Sequence, residues 1–178
     1  MNIFAIEKTK DNQIDWVASA KSLDNYRVVK MILESTQMLC TTLNELEGRQ
    51  LTPYKSTHKN HPCCKWLRES YYNFWNLQEH ALSMVDEYQE RFNKIHKCKQ
   101  IILDCKSYAL IYRFDKLWKK YDEGDTALPL CMPNLFKGED VVESYRKYYA
   151  SKERMRYPKN KIPKWFVEYR GELPFDVC

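Results

Sequence analysis

The chain has 178 residues, of which 44% are hydrophobic and 30% charged, with a net charge of +5. That length suits one domain with a true core, and the balance is that of a globular protein, not of a disordered or fibrous one. No apolar run approaches the roughly eighteen residues a bilayer span needs, and MNIFAIEKTKDNQ lacks the basic-then-apolar layout of a secretory leader.

A cytosol-like compartment is therefore expected (the host cytoplasm if the protein is viral). Cys40, Cys63, Cys64, Cys98, Cys105, Cys131 and Cys178 make an odd number of cysteines. In such a compartment they read as free thiols. Only four glycines occur, and long periodic stretches lie between the prolines, which favours helices over a sandwich or barrel.

Residues 1–21 read as irregular or weakly extended. Ser22 or Asp24 caps a first long helix that runs to about Glu47, before Gly48. Val28, Ile32, Ser35, Leu39, Leu43 and Leu46 repeat at helical steps and make a buried stripe. Arg27, Lys30, Glu34, Gln37 and Thr41 form a polar stripe beside it. One reading of that stripe is a solvated face, with a Lys30–Glu34 pair contributing about 0.3 kcal/mol. The other holds Glu34 in a cleft among cations, where it stabilises a developing positive charge or moves a proton.

Residues 48–60 form a polar loop with Pro53. Asn60 is expected to cap a second long helix reaching about Asn93, with a proline in its first turn. Trp66, Leu77, Ala81, Met84, Tyr88 and Phe92 keep its helical period. Glu69, Asn73, Asn76 and His80 share a polar face that would line the same cleft as Glu34. A third helix is expected over 97–121, with Ile101, Cys105, Ala109, Tyr112 and Leu117 inward. The loop GDTALPLCMPNLFKG follows over 124–138, and Glu139 or Asp140 opens a short helix through Tyr149. The tail, YPKNKIPKWFVEYRGELPF, is expected as coil wrapped on the body. The predicted fold is thus all-α. It is a single domain over 1–178, a bundle of three long helices plus a short one, with an extended basic segment over 144–178.

The stretch YKSTHKNHPCCKWLRES, residues 54–70, supports three readings. His58, His61, Cys63 and Cys64 are metal-ligand types, but their spacing is poor for zinc. No metal ligand is assigned on this pattern, and no cofactor is expected. A capped helix start with a buried cysteine is the second reading. In the third, Lys55, Thr57, His58, Asn60 and His61 wall a polar pocket at a helix N-terminus, where free N–H groups attract phosphate. Arg68, Asn73 and His80 would extend it.

The end of the chain carries the positive field. From Ser144 to Arg170 nine Lys and Arg stand against Glu153 and Glu168, which gives +7 there and about −2 elsewhere. These bases interleave with Tyr145, Tyr148, Tyr149, Tyr157, Trp165, Phe166 and Tyr169. Basic groups neutralise phosphates and aromatic faces stack on bases. Arg146, Lys147, Tyr148, Lys164 and Trp165 are accordingly candidate nucleic-acid contacts.

The combination of SLDNYRVVKMILESTQMLC, the 54–70 stretch with Asn73, EYQERFNKIHK and ALPLCMPNLFKGEDVVESYRKYY resembles a group of phage and large-virus proteins over most of the chain. The layout is similar, more distantly, to the phage pyrimidine-dimer DNA glycosylase (endonuclease V) family, a compact all-helical group of DNA-repair enzymes. The resemblance places that family's catalytic glutamate at Glu34. Leu23-Asp24 and Arg27 match an early Leu-Asp and a basic position seven residues before the glutamate. His61, and Glu87 with Arg91, match a His before the next long helix and a Glu-x-x-x-Arg near its end. Tyr145 to Tyr149 match an aromatic, basic C-terminal segment.

The family uses its N-terminal α-amine as nucleophile on the sugar C1′, after removal of the initiator methionine. Here Asn2 is too large for efficient removal of Met1, and the segment before the Glu34 helix is longer. The resemblance therefore leaves the amine either displaced or unused. A glycosylase without lyase action, a lysine Schiff base or another reaction on DNA bases all stay open. The expected catalytic set is Glu34, His61 and Arg27, with Lys30 among the DNA-contacting residues. The expected partner is double-stranded DNA carrying a damaged or modified pyrimidine, bound by a monomer with no membrane association. An enzyme of modified pyrimidine nucleotides or hypermodified phage DNA is one alternative. A non-catalytic nucleic-acid or host-factor binder of a virus is the other.

Overall fold

Helix α1 (Trp16–Lys21) begins at Asp15, whose carboxylate accepts from the Ala18 N–H at 2.8 Å. Helix α2 (Asn25–Glu47) is capped by Asp24, which accepts from Tyr26 N–H at 2.9 Å. It stops at Gly48, whose φ of +72° costs a glycine nothing. Helices α3 (Pro62–Glu69), α4 (Tyr71–Phe92) and α5 (Lys99–Arg113) follow. After a short 3₁₀ turn at Asn134–Phe136 come α6 (Val141–Ala150), β1 (Arg156–Tyr157), α7 (Lys164–Arg170) and β2 (Asp176–Val177). The two short strands pair in parallel, Arg156 opposite Asp176 and Tyr157 opposite Val177. This computed structural model describes residues 1–113, 118, 124–171 and 176–178.

The protein is mostly helical, as its periodicity dictates, but the division into elements differs from the sequence expectation in four places. The chain start is not loose: Ile3, Phe4, Ala5 and Ile6 are buried in the core, and α1 follows them. Four apolar residues in succession satisfy neither a helical nor a strand alternation, because every side of this extended stretch is covered.

The long second helix is two helices. Ser70 has extended backbone (φ −145°, ψ 143°), and its hydroxyl both accepts from Tyr72 N–H at 3.1 Å and donates to the Gly124 carbonyl at 2.5 Å. The serine thus ends α3 and caps α4. The cap of α3 is His61, not Asn60: its Nδ1 accepts from Cys63 N–H at 3.2 Å.

The 144–178 segment is folded against the body, not extended. Trp165 and Phe166 of α7 are buried, and Arg170 donates to the Ala150 carbonyl at 2.6 Å. The expected end of the third helix, with Leu117, lies outside the described residues, as does the side chain of Tyr112.

α2 is the central element. It packs on α3, α4 and α5, while α1 packs on α4 and α6 on α7. Val28, Ile32, Ser35, Leu39 and Leu43 face inward as their spacing requires. The corner between α1 and α2 is fixed by a buried polar cluster. Tyr149 donates to Asp24 Oδ2 at 2.6 Å, and Arg91 reaches the carbonyls of Leu23 (2.8 Å) and Lys21 (3.0 Å). Arg91 is itself held by Glu87 at 2.6 Å, and Lys161 pairs with the same carboxylate. Glu87 and Arg91 therefore serve the frame on which α2 starts.

Candidate active site

The buried Ile3–Ile6 segment delivers the chain start to the middle of α2. Ser19 Oγ accepts from the N–H groups of Ile6 (3.0 Å) and Glu7 (2.9 Å), and Arg146 Nε donates to the Ile6 carbonyl at 2.8 Å. Asn2 folds its own turn: its Oδ1 accepts from Ile3 N–H at 2.9 Å, and its Nδ2 donates to the Cys131 carbonyl at 2.9 Å. These tethers leave the α-amine of Met1 at 3.7 Å from Glu34 Oε2. The amine thus lies beside Glu34 even with Asn2 and the longer leading segment in place.

Glu34 is flanked by a second cation, Lys30 Nζ, at 3.3 Å from Oε1. The Glu34 side chain is only 16% exposed, whereas that of Lys30 is 71% exposed. The carboxylate is thus set between a covered amine and a solvent-facing lysine. Covering both partners raises the strength of the amine–carboxylate interaction above that of a surface pair.

The loop at 57–61 closes the site from the other side. Thr41, about two turns beyond Glu34 on α2, holds it with one hydroxyl: Oγ1 accepts from Thr57 N–H (3.0 Å) and donates to the Thr57 carbonyl (3.2 Å). His58 sits in the left-handed region (φ +49°), with its Nδ1 at 2.7 Å from Thr57 Oγ1, and its carbonyl accepts from His61 N–H at 2.8 Å. Burial holds the His61 imidazole below the usual histidine range; the positive chain start and His58 push the same way and Glu34 opposes them. His61 is therefore neutral at neutral pH, and it shares one electrostatic neighbourhood with the amine and Glu34.

Residues 1–100 match the family model described as pyrimidine dimer DNA glycosylase. The chain belongs to the pyrimidine dimer DNA glycosylase family. The matched stretch holds the Met1 amine, Lys30, Glu34, Thr41 and His61, while the tethering residues Cys131 and Arg146 lie beyond it. No curated protein and no solved structure matches the chain.

The other candidate residues of this glycosylase-family chain fall into two groups. Lys55, His58, Asn60, Lys147 and Lys164 are exposed. Lys55 lines a groove of about 450 Å³ with Arg49, Gln50, Ser56 and Lys59. Arg68 supports the loop from beneath, donating to the Lys59 carbonyl at 2.7 Å.

The second group is engaged within the protein. Arg27 donates to the carbonyls of Arg154 (2.8 Å) and Glu153 (3.0 Å), tying α2 to the turn before β1. Arg146 pairs with Glu7 and Glu143 and stacks over Trp165, and Trp165 donates to Glu7 at 2.7 Å. Tyr148 packs between Phe4 and Phe136, with Lys152 over its ring.

Asn73 and His80 do not line the cleft. Asn73 is fully buried and clamps the 124–126 loop: Nδ2 donates to the Trp66 carbonyl and Thr126 Oγ1, and Oδ1 accepts from Thr126 N–H. His80 is buried against Trp16, with its Nδ1 at 2.8 Å from the Trp16 carbonyl and its pKa pushed down to about 4 by burial. Glu69 and Asn73 both meet Thr126 across the break at Ser70, and Asn76 meets Asp125, so this polar face is covered by the 124–126 loop and not by the Glu34 cleft. Cys131 carried no local signal: only the folded chain brings its loop beside the chain start.

Proposed function

We propose that this protein is a base-excision enzyme that releases a damaged or modified pyrimidine from double-stranded DNA, with the Met1 α-amine as nucleophile and Glu34 as its partner. The 3.7 Å approach of that amine to a covered carboxylate, in a member of this family, carries the reading. An amine attacks only when unprotonated, and Glu34 is positioned to take its proton.

The amine nitrogen bonds to the sugar C1′, the glycosidic C–N bond breaks, and the base leaves with that electron pair and gains a proton. The sugar ring opens as C1′ becomes an iminium carbon. Water then returns the amine and an abasic site, or loss of a C2′ proton expels the 3′ phosphate. The sugar is positive at the transition state, where a preorganised carboxylate contributes on the order of 3 kcal/mol. Neutral His61 adds no repulsion to that charge.

Several surface features suit a DNA substrate. The glycosidic bond is shielded in stacked duplex, so the nucleotide must be extruded. Tyr26, Val29 and Leu33 are exposed on α2 (49%, 43% and 42%) at positions beside Lys30 and Glu34, and they offer an apolar bed for an unstacked base. Lys30 and Lys55 offer charge to the flanking phosphates, while Arg49 and Lys59 are paired with Glu47 and Glu45 in exposed ion pairs.

The test is Glu34→Gln on duplexes carrying a panel of damaged pyrimidines. Base release should fall about 10²–10³-fold while DNA affinity stays near that of the unaltered protein. A variant that releases base at the original rate would refute the assignment. Salt-sensitive DNA binding with no product from any duplex would identify a non-catalytic binder instead.

A further inference from the structure

We propose that His61, Cys63 and Cys131 form a site for one zinc-class divalent cation. A ring nitrogen of His61 and the two Sγ atoms all lie within 4.8 Å of one another. The sulfurs are 3.5 Å apart. Bonds of about 2.3 Å at a tetrahedral angle put two zinc-bound thiolates about 3.8 Å apart, so the pair already stands at coordination spacing. Two thiols and an imidazole are the donor set that zinc prefers over magnesium or calcium.

This set differs from the metal reading that the sequence invites. His58 and Cys64 are not part of it; Cys131, sixty-eight positions beyond Cys63, supplies the second sulfur.

Each donor is held in place by its surroundings. Cys63 lies in the first turn of α3 and is fully buried. Cys131 is fixed through its backbone: its N–H donates to the Pro129 carbonyl at 3.1 Å, and its carbonyl accepts from Asn2 Nδ2 at 2.9 Å. Tyr145 anchors the same turn by donating to the Pro129 carbonyl at 2.7 Å. Such supports fix ligands before the ion arrives. Cys131 and His61 are partly exposed, which leaves an entry path.

Metal binding needs thiolate and neutral imidazole. Three protein donors leave the fourth tetrahedral position to water or another ligand. Because Asn2 is bonded to Cys131, an ion here braces the segment that carries the Met1 amine.

The site shares His61 with the candidate active site, but its test uses no DNA, so it fails or holds independently of the glycosylase reading. Reduced, metal-free full-length protein is titrated with Co²⁺ and followed by absorption, then with Zn²⁺ and followed by thermal unfolding. One equivalent of Co²⁺ should give a sulfur-to-cobalt charge-transfer band, and Zn²⁺ should displace it and raise Tm. Cys131→Ser changes a partly exposed side chain; its metal-free Tm should match the original. This variant should lose the band, and the Zn²⁺ affinity should drop at least about tenfold, which is about 1.4 kcal/mol. His61→Ala should weaken binding in the same direction. No band, a band that survives Cys131→Ser, or a Cys63–Cys131 disulfide found by peptide mapping of the protein kept under reductant would each overturn the proposal.

Discussion

At the scale of single residues, chemistry and burial separate groups that look alike in the sequence. Glu34 and Glu87 both sit on long helices four residues from a cation. Glu87 is buried and neutralised by Arg91 and Lys161, and it holds the α1–α2 corner. Glu34 faces an amine and a solvent-exposed lysine, so one side of its surroundings is open to a substrate. The polar stripe of α2 left Glu34 between a solvated face and a cleft carboxylate, and it was the family resemblance that singled it out. The partner amine was not legible, because nothing local shows that residues 3–6 are buried and pull the chain start inward.

His80 gives a pH prediction at the same scale. Burial holds its folded-state pKa near 4, below the roughly 6.5 of an unfolded histidine. Between those values the unfolded chain binds a proton that the folded chain does not. Stability is therefore full above about 6.5 and is lost as pH falls toward about 4, on the order of 3 kcal/mol in all. His61 and His96 are shifted in the same direction and steepen the fall. Urea unfolding midpoints across that range should drop less in His80→Gln than in the unaltered protein. Equal slopes in the two proteins would contradict a neutral buried His80.

At the scale of elements, caps decide where the chain turns. Asp24 and Gly48 bound α2 where the sequence places those signals, since a capping carboxylate and a glycine in the left-handed region act locally. The α3–α4 junction was not legible. Ser70 lies within an unbroken helical period, and its capping role depends on the Gly124 carbonyl, fifty-four residues away. Removing its hydroxyl takes both bonds. Ser70→Ala should lower stability by about 1–2 kcal/mol, read as a lower denaturant midpoint with an unchanged m-value. A change below about 0.3 kcal/mol would mean that helix packing, not the serine, sets the break.

For the whole molecule, the formal +7 of residues 144–170 overstates the charge available to DNA. Arg146 is bound to Glu7 and Glu143, Lys161 to Glu87 and Glu90, and Arg170 to backbone carbonyls. Counting residues cannot distinguish a cation that neutralises a neighbour from one that faces solvent. The aromatics of this segment are likewise mostly core: Tyr145, Tyr149, Tyr157, Trp165 and Phe166 are buried. What the segment does is close over the buried chain start through Arg146 and Trp165, and so help hold the Met1 amine against α2.

That placement of the amine is the claim on which the functional account turns. It is tested most directly by incubating the protein with a duplex bearing a pyrimidine dimer in the presence of borohydride, then mapping the trapped adduct by peptide mass spectrometry. The account predicts a covalent protein–DNA complex whose cross-link lies on the α-nitrogen of the N-terminal peptide, and its loss in Glu34→Gln. A cross-link on a lysine side chain, or base release with no trappable complex, would contradict it.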